Sequence, residues 1–268
     1  MSKPTLFLDT TIQIERVVSH AQRRIQLQET LSPYRLITSS YVLGEFLRTL
    51  VKDAIQLHQR IEQYAHLDEV ITDLGQHPNK RVASRMMLIL GTLLRGNRTA
   101  QSTFDAQTRL QIQDRLARYI DFGLLDHFFS GLAEIIDNTQ CGLARERPAA
   151  AFSSTSDGFV YQLRSQCVRH VRECDLAEQM QSWRPELRAL ADGLTQETDP
   201  VLLRMGELAQ KLSEDPVLAR GRNCTWYLGD LIIALELPLD VPLYTTNLRH
   251  FAPILAILGK RLYKSDSP

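Results

Sequence analysis

Apolar positions along the chain change period several times, and each change marks an element. Thr5-Leu6-Phe7-Leu8 is an unbroken run of strand formers that stops at Asp9-Thr10-Thr11, after which apolar residues recur at helical spacing from Ile12. This is a strand feeding a helix. The same change occurs at Tyr34-Arg35-Leu36-Ile37-Thr38, where Ser39 and Ser40 offer N-capping hydroxyls to a helix running from Tyr41 to about Leu57. Glu45 falls in the second turn of that helix. Near the other end Gly229-Asp230 opens a helix through Leu231-Ile232-Ile233-Ala234-Leu235, and Pro238 stops it. Pro242-Leu243-Tyr244-Thr245 then makes a short buried strand ending at Thr246-Asn247, and a last helix and strand run through Leu258 and Tyr263. Two βα units at the start and two at the end predict a parallel sheet with helices on both faces.

Between these ends the pattern is mainly helical from about Ile61 to Asn223, most apolar at Met86-Met87-Leu88-Ile89-Leu90 and at Leu124-Leu125-Asp126-His127-Phe128-Phe129. Breaks are expected around Gln76-His77-Pro78-Asn79, Arg95-Gly96-Asn97, from Arg147-Pro148 to Ser156, and at Thr198-Asp199-Pro200. The expected organisation is a discontinuous α/β core, residues 1–60 plus 223–268, with residues 61–222 as a mainly helical insertion. The pattern leaves the third strand of the sheet unplaced.

Composition narrows this picture. At 268 residues and 44% hydrophobic the chain can bury a full core, which excludes a disordered or fibrous protein. Its formal charge is zero, so any phosphate-binding surface must be local. Cys141, Cys167, Cys174 and Cys224 form no CxxC pair and read as free thiols. No leader pattern and no membrane-length apolar run stands out, which makes a cytoplasmic protein without a membrane span the expectation.

The chemistry concentrates at strand ends. In a parallel α/β sheet ligands bind at the carboxyl ends of the strands, and Asp9 and Asn247 each follow a predicted strand. Glu45 and Asp230 lie in early turns of helices, so three carboxylates and a carboxamide are expected at one rim. Grouped carboxylates repel one another unless a cation sits among them, and hard oxygen ligands suit Mg2+ or Mn2+. Such a centre activates water for phosphodiester hydrolysis.

Leu8-Asp9-Thr10-Thr11, Ser40 to Glu45, Gly229-Asp230-Leu231-Ile232-Ile233-Ala234 and Thr245-Thr246-Asn247-Leu248-Arg249-His250-Phe251, in this order, resemble the motifs of PIN domains. The likeness covers about residues 4–60 and 223–264. It implies a PIN-like fold and a Mg2+- or Mn2+-dependent endonuclease acting on RNA more than on DNA, with dimerisation and an antitoxin or other protein partner within the family's range. It further implies that Asp9, Glu45 and Asp230 are acidic metal ligands, that Thr11 and Thr245 orient carboxylates or waters, and that His250 touches substrate or a metal-bound water. Asn247 stands where many relatives carry a fourth acid. The stretch between Glu45 and Asp230 is far longer than in compact members.

Each of these residues also has a plainer reading. Asp9 can be a helix N-cap, Asp230 can favour a helix dipole, Asn247 can form an Asx-turn, and His250 can be a satisfied surface residue. Cys167, His170 and Cys174 match no usual zinc spacing. Trp226 and Tyr227 read as core more than as base-stacking platforms. Lys80, Arg81, Arg85, Arg95 and Arg98, then Arg164, Arg169, His170 and Arg172, form basic groups. Arg81 and Arg85 are one turn apart and, with Arg249, are candidate nucleic-acid contacts. Two other functions compete with the nuclease. One is a catalytically weak PIN-like module binding RNA or protein. The other is a haloacid-dehalogenase-type phosphatase with Asp9 as nucleophile, although that chemistry expects an aspartate where Thr11 stands.

Overall fold

The computed structural model of the chain describes residues 3–95, 106–140, 151–155, 158–162, 175–219 and 228–264. Four parallel strands form the main sheet: β1 (Thr5–Leu8), β2 (Arg35–Ser39), β3 (Leu132–Ile136) and a two-residue strand, Leu243–Tyr244, in the spatial order third, second, first, last. A separate antiparallel pair is made by β4 (Ala151–Thr155) and β5 (Gly158–Gln162), so Leu243–Tyr244 is β6. On the far side of β6, Leu243 bridges Leu262 in parallel, and the chain bonds in both directions, Leu243 N–H to the Arg261 carbonyl and Tyr263 N–H to the Leu243 carbonyl. The fold class expected from the pattern, an α/β protein with a parallel sheet flanked by helices, is what forms.

Strand β1 shows why both faces are covered. Leu6 and Leu8 point into a cluster with Leu36, Ile12, Leu27 and Leu31, while Phe7 points oppositely into the larger core. Alternate residues face opposite sides of a strand, and every residue from Leu6 to Leu8 is fully buried, so one face alone cannot account for the run. The smaller cluster lies under α1 (Thr10–Val17) and α2 (Ala21–Leu31); the larger lies under α3 (Ser40–Gln63).

Helix α3 begins where the sequence pattern puts it, because the Ser39 hydroxyl accepts the Val42 N–H at 3.3 Å. It then runs past Leu57 to Gln63, since Ile61 continues the buried stripe. Against it pack α5 (Lys80–Leu94), α6 (Ala106–Arg118) and α7 (Leu124–Phe129), reached through α4 (Leu67–Gln76). The apolar runs noted above are the inward faces here: Met86, Ile89 and Leu90 on α5 are buried, and Phe128 on α7 meets Phe46 on α3 with ring centroids 4.9 Å apart.

Gly131, at φ 72°, turns the chain out of α7 and into β3. The strand missing from the sequence reading therefore lies within residues 61–222, which supply it to the main sheet as well as supplying helices. Helices α8 (Leu176–Ser182), α9 (Arg184–Leu194) and α10 (Pro200–Glu214) follow, then α11 (Leu228–Glu236) and α12 (Leu248–Ile257). Asp199 caps α10 with Pro200 at its first position, so the predicted break at Thr198-Asp199-Pro200 is a helix start. Leu187, Leu190, Leu194, Leu202, Met205 and Leu212 join the same core as α3. No helix among the described residues is long and apolar enough to cross a membrane.

Candidate active site

Asp9 ends β1 in extended backbone, φ −74° and ψ 164°, and caps α1. Its plain reading as an N-cap is therefore correct, and it is incomplete. The carboxylate is 2% exposed and accepts four side-chain and backbone hydrogen bonds: from Thr10 N–H at 2.6 Å, Thr11 N–H at 3.4 Å, the Thr11 hydroxyl at 2.8 Å and the Thr245 hydroxyl at 2.7 Å. A capping role needs only the first two. Thr245 comes from the end of β6, and β6 pairs with β1 through Leu8 and Tyr244, so sheet register sets this contact. Thr11 and Thr245 thus both donate a hydroxyl to the Asp9 carboxylate.

Glu45 reaches the same rim from α3. Its Oε2 accepts the Thr10 hydroxyl at 2.7 Å, so Thr10 bridges two acids, its N–H to Asp9 and its hydroxyl to Glu45. The sequence reading passed over Thr10, and its one signal was that it stood between Asp9 and Thr11. On the other side Glu45 lies over Gly229: a Cβ placed there would stand 2.2 Å from Oε1. The glycine is what lets α11 approach the acid.

Asp230 sits in the first turn of α11. Its Oδ2 accepts the Asn247 side-chain N–H at 3.0 Å and lies 2.7 Å from His250 Nδ1. Asn247 Nδ2 also lies 3.1 Å from that ring nitrogen. Nδ1 cannot accept from Asn247 while donating to Asp230, and the shorter contact to a carboxylate identifies Nδ1 as the donor. Asn247 and His250 are thus tied to Asp230, and the Asn247 N–H is tied to the Thr245 hydroxyl at 2.9 Å.

Electrostatics connects the three acids. Burial, the largest cause, pushes Asp9 up to about 6 against the hydroxyl bonds of Thr245 and Thr11, and Asp230 raises it further. Burial likewise pushes Glu45 up to about 7 against its bond to Thr10, with Asp9 and Asp230 both adding repulsion. Asp230 is raised by burial against His250 and Asn247. Helix N-termini favour negative charge at Asp9 and Asp230, yet desolvation outweighs that here. Among the described residues no three acidic, histidine or cysteine side chains close into a ready metal cage. Asp9 turns to the threonines, Glu45 to Thr10 and Asp230 to His250, while each carboxylate stays within the field of another. A hard divalent cation, if bound here, would fall to Asp9, Glu45 and Asp230, since Asp230 raises both Asp9 and Glu45 and such a charge would ease that repulsion.

The basic candidates behave differently. Arg85 turns inward to pair with Asp53, which is 3% exposed, so the proposed pairing of Arg81 with Arg85 on a phosphate-facing surface needs correction. A buried carboxylate requires a countercharge, and Arg85 supplies it. Arg81 is exposed on α5, and Arg249 bonds Asp199 while keeping most of its side chain in solvent. The four cysteines, Trp226, Tyr227, Arg98, Arg164, Arg169, His170 and Arg172 lie outside the described residues. Comparison with known protein families, with curated proteins and with solved structures gave no match.

Proposed function

We propose that this protein is a PIN-like, Mg2+- or Mn2+-dependent endonuclease that hydrolyses phosphodiester bonds, with RNA favoured over DNA by the resemblance of its motifs. The observation that carries the reading is the convergence of three carboxylates, Asp9, Glu45 and Asp230, at the carboxyl rim of a parallel sheet, where Thr10 links Asp9 to Glu45 and Asp230 raises both. A divalent cation bound there supplies charge neutralisation at the scissile phosphate and acidifies a bound water. The chain's own residues do the positioning. Thr11 and Thr245 fix Asp9, Thr10 and Gly229 fix Glu45, and His250 with Asn247 fixes Asp230.

Asp9→Asn and Asp230→Asn, compared with wild type on labelled RNA and DNA with and without Mn2+, test this. Metal-dependent cleavage lost in both variants is the expected result. Equal activity in all three proteins would sink the assignment. A second reading, a catalytically weak module that binds RNA or a protein, is favoured by one observation: Asn247, where relatives often carry an acid, spends its amide on Asp230. Binding without cleavage in the same assay would select it. In the phosphatase alternative Thr11 occupies the position of the second aspartate, and here it donates to Asp9 instead.

A further inference from the structure

With Arg85 drawn inward, the strand's phosphates need another cation near the acids. Arg48 stands one turn beyond Glu45 on the same side of α3. Its side chain is 25% exposed, and among the described residues its charged partner is Glu45, Nη2 to Oε1 at 3.9 Å, beyond hydrogen-bond distance. A guanidinium carries five N–H donors, and partly buried donors are normally satisfied. Other partly covered arginines obey that rule, among them Arg16, which bonds Gln13 and the Ser130 carbonyl, Arg60, which bonds Asp73 and the Gln56 carbonyl, Arg85, which bonds Asp53, and Arg184, which bonds the Ser213 carbonyl. Arg48 makes no hydrogen bond among the described residues. Its fork stands beside the acidic centre with no hydrogen-bonded protein partner among the described residues.

Lys52 lies one turn farther along α3, fully on the exposed side. Glu45, Arg48 and Lys52 therefore form one stripe, at the three- and four-residue steps that make helix neighbours about 5–6 Å apart. We infer that Arg48 and Lys52 bind successive phosphates of a single-stranded nucleic acid, with Arg48 gripping the phosphate nearest the Asp9–Glu45–Asp230 centre. This rests on the nuclease reading. The guanidinium suits a bidentate grip on one phosphate, and the ammonium of Lys52 acts as a point charge for the next. Free of a tight carboxylate partner, Arg48 has no strong bond to give up when the strand arrives.

The competing role for Arg48 is neutralisation of Glu45 alone, and binding measurements separate the two. Full-length wild type, Arg48→Met, Arg48→Lys and Lys52→Met are titrated with a labelled single-stranded RNA across a range of salt, and separately with Mn2+, with thermal melting as a folding control. The expected result for Arg48→Met is RNA affinity at least tenfold weaker and a slope of log affinity against log salt shallower by about 0.7, the value of one lost phosphate contact on a single strand. Mn2+ affinity stays within twofold of wild type. Arg48→Lys keeps the salt slope and recovers only part of the affinity, and Lys52→Met loses a similar slope with a smaller drop. RNA affinity and slope unchanged in Arg48→Met, while wild type cleaves, overturns the phosphate role alone. A parallel loss of Mn2+ and RNA affinity assigns Arg48 to Glu45 and also overturns it. Wild type that neither binds nor cleaves any nucleic acid overturns the nuclease reading itself.

Discussion

A hydrogen atom in place of a side chain decides the position of Glu45. Any Cβ on residue 229 would press on the Glu45 carboxylate at 2.2 Å, and the atom in its way is the far end of a flexible side chain. Gly229→Ala therefore displaces Glu45 before it displaces α11. Because alanine favours helix over glycine by about 0.8–1 kcal/mol, the variant should fold with stability within about 1 kcal/mol of wild type. On the proposed nuclease function, its Mn2+-dependent cleavage should fall by tenfold or more. Thermal melting beside cleavage rates checks this, and wild-type turnover in Gly229→Ala would mean that the observed Glu45 position is not the working one. Thr10→Val removes the other restraint on Glu45, the 2.7 Å hydroxyl bond, and should lower activity in the same direction.

At the scale of elements, the joint between α3 and α5 contains, beside its apolar packing, an ion pair whose acid is buried. Asp53 is held above the usual carboxylate range by burial, against the pull of Arg85. Arg85→Ala leaves a buried carboxylate uncompensated and should cost about 3 kcal/mol or more of stability. The double change Asp53→Leu with Arg85→Met should recover most of that loss, since an apolar pair of similar volume fills the joint. Urea denaturation of the three proteins measures it, and a single variant as stable as wild type would show that the pair is not buried in solution. This joint also shows where the sequence was hard to read. Arg81 and Arg85 share helical spacing, but nothing local says which of them meets Asp53 on another helix. Strand β3 was hidden for a related reason: with Ala133 and Glu134 exposed, it is a half-exposed strand at the end of the sheet's recorded order and lacks the apolar run that marked β1. Strands β1 and β2, by contrast, sit between neighbours, and their apolar runs ending at Asp9 and Ser39 made both the strands and the helix starts legible. The candidate site was legible to the same extent. Asp9, Glu45, Asp230, Asn247, Thr11, Thr245 and His250 mark strand ends and early helix turns, whereas the contacts of Thr10, Gly229 and Arg48 exist only once α1, α3 and α11 are packed.

For the whole molecule, two kinds of buried group set how stability depends on pH: the acids lower it as pH rises, while His58, lowered by burial to about 4, raises it between about pH 4 and 6.5. Asp9 is raised to about 6 and Glu45 to about 7, and Glu236, 3% exposed near the end of α11, is pushed by burial to about 8. Among the described residues neither oxygen of Glu236 has a hydrogen bond of good geometry, although Ser39 and Thr139 stand close enough to favour its ionised form slightly. In all three the folded state keeps a proton that the unfolded chain has already released. Stability from this source is therefore complete below pH about 4 and declines as pH rises to about 8, by up to about 1.4 kcal/mol per pH unit for each group within its own window. A divalent cation at the candidate site should reverse the share belonging to Asp9 and Glu45, because it binds their ionised forms and displaces their protons. At a hundred times its dissociation constant it adds about 2.7 kcal/mol, an upward shift in melting temperature of roughly 5–10 °C for a chain of this size. That shift should be large at pH 8 and small at pH 5, and Asp9→Asn should abolish it. Glu236 lies apart from that effect. Glu236→Gln should flatten the part of the decline between pH 4.5 and 8 with or without Mn2+, and leave the metal-induced shift intact. Melting curves at several pH values, with Mn2+ or with a chelator, separate the two contributions. A metal-free melting temperature that rises between pH 6.5 and 8, above the window in which the buried His58 ring adds stability, would contradict both, because carboxylates that ionise freely in the folded protein need no cation to hold them together.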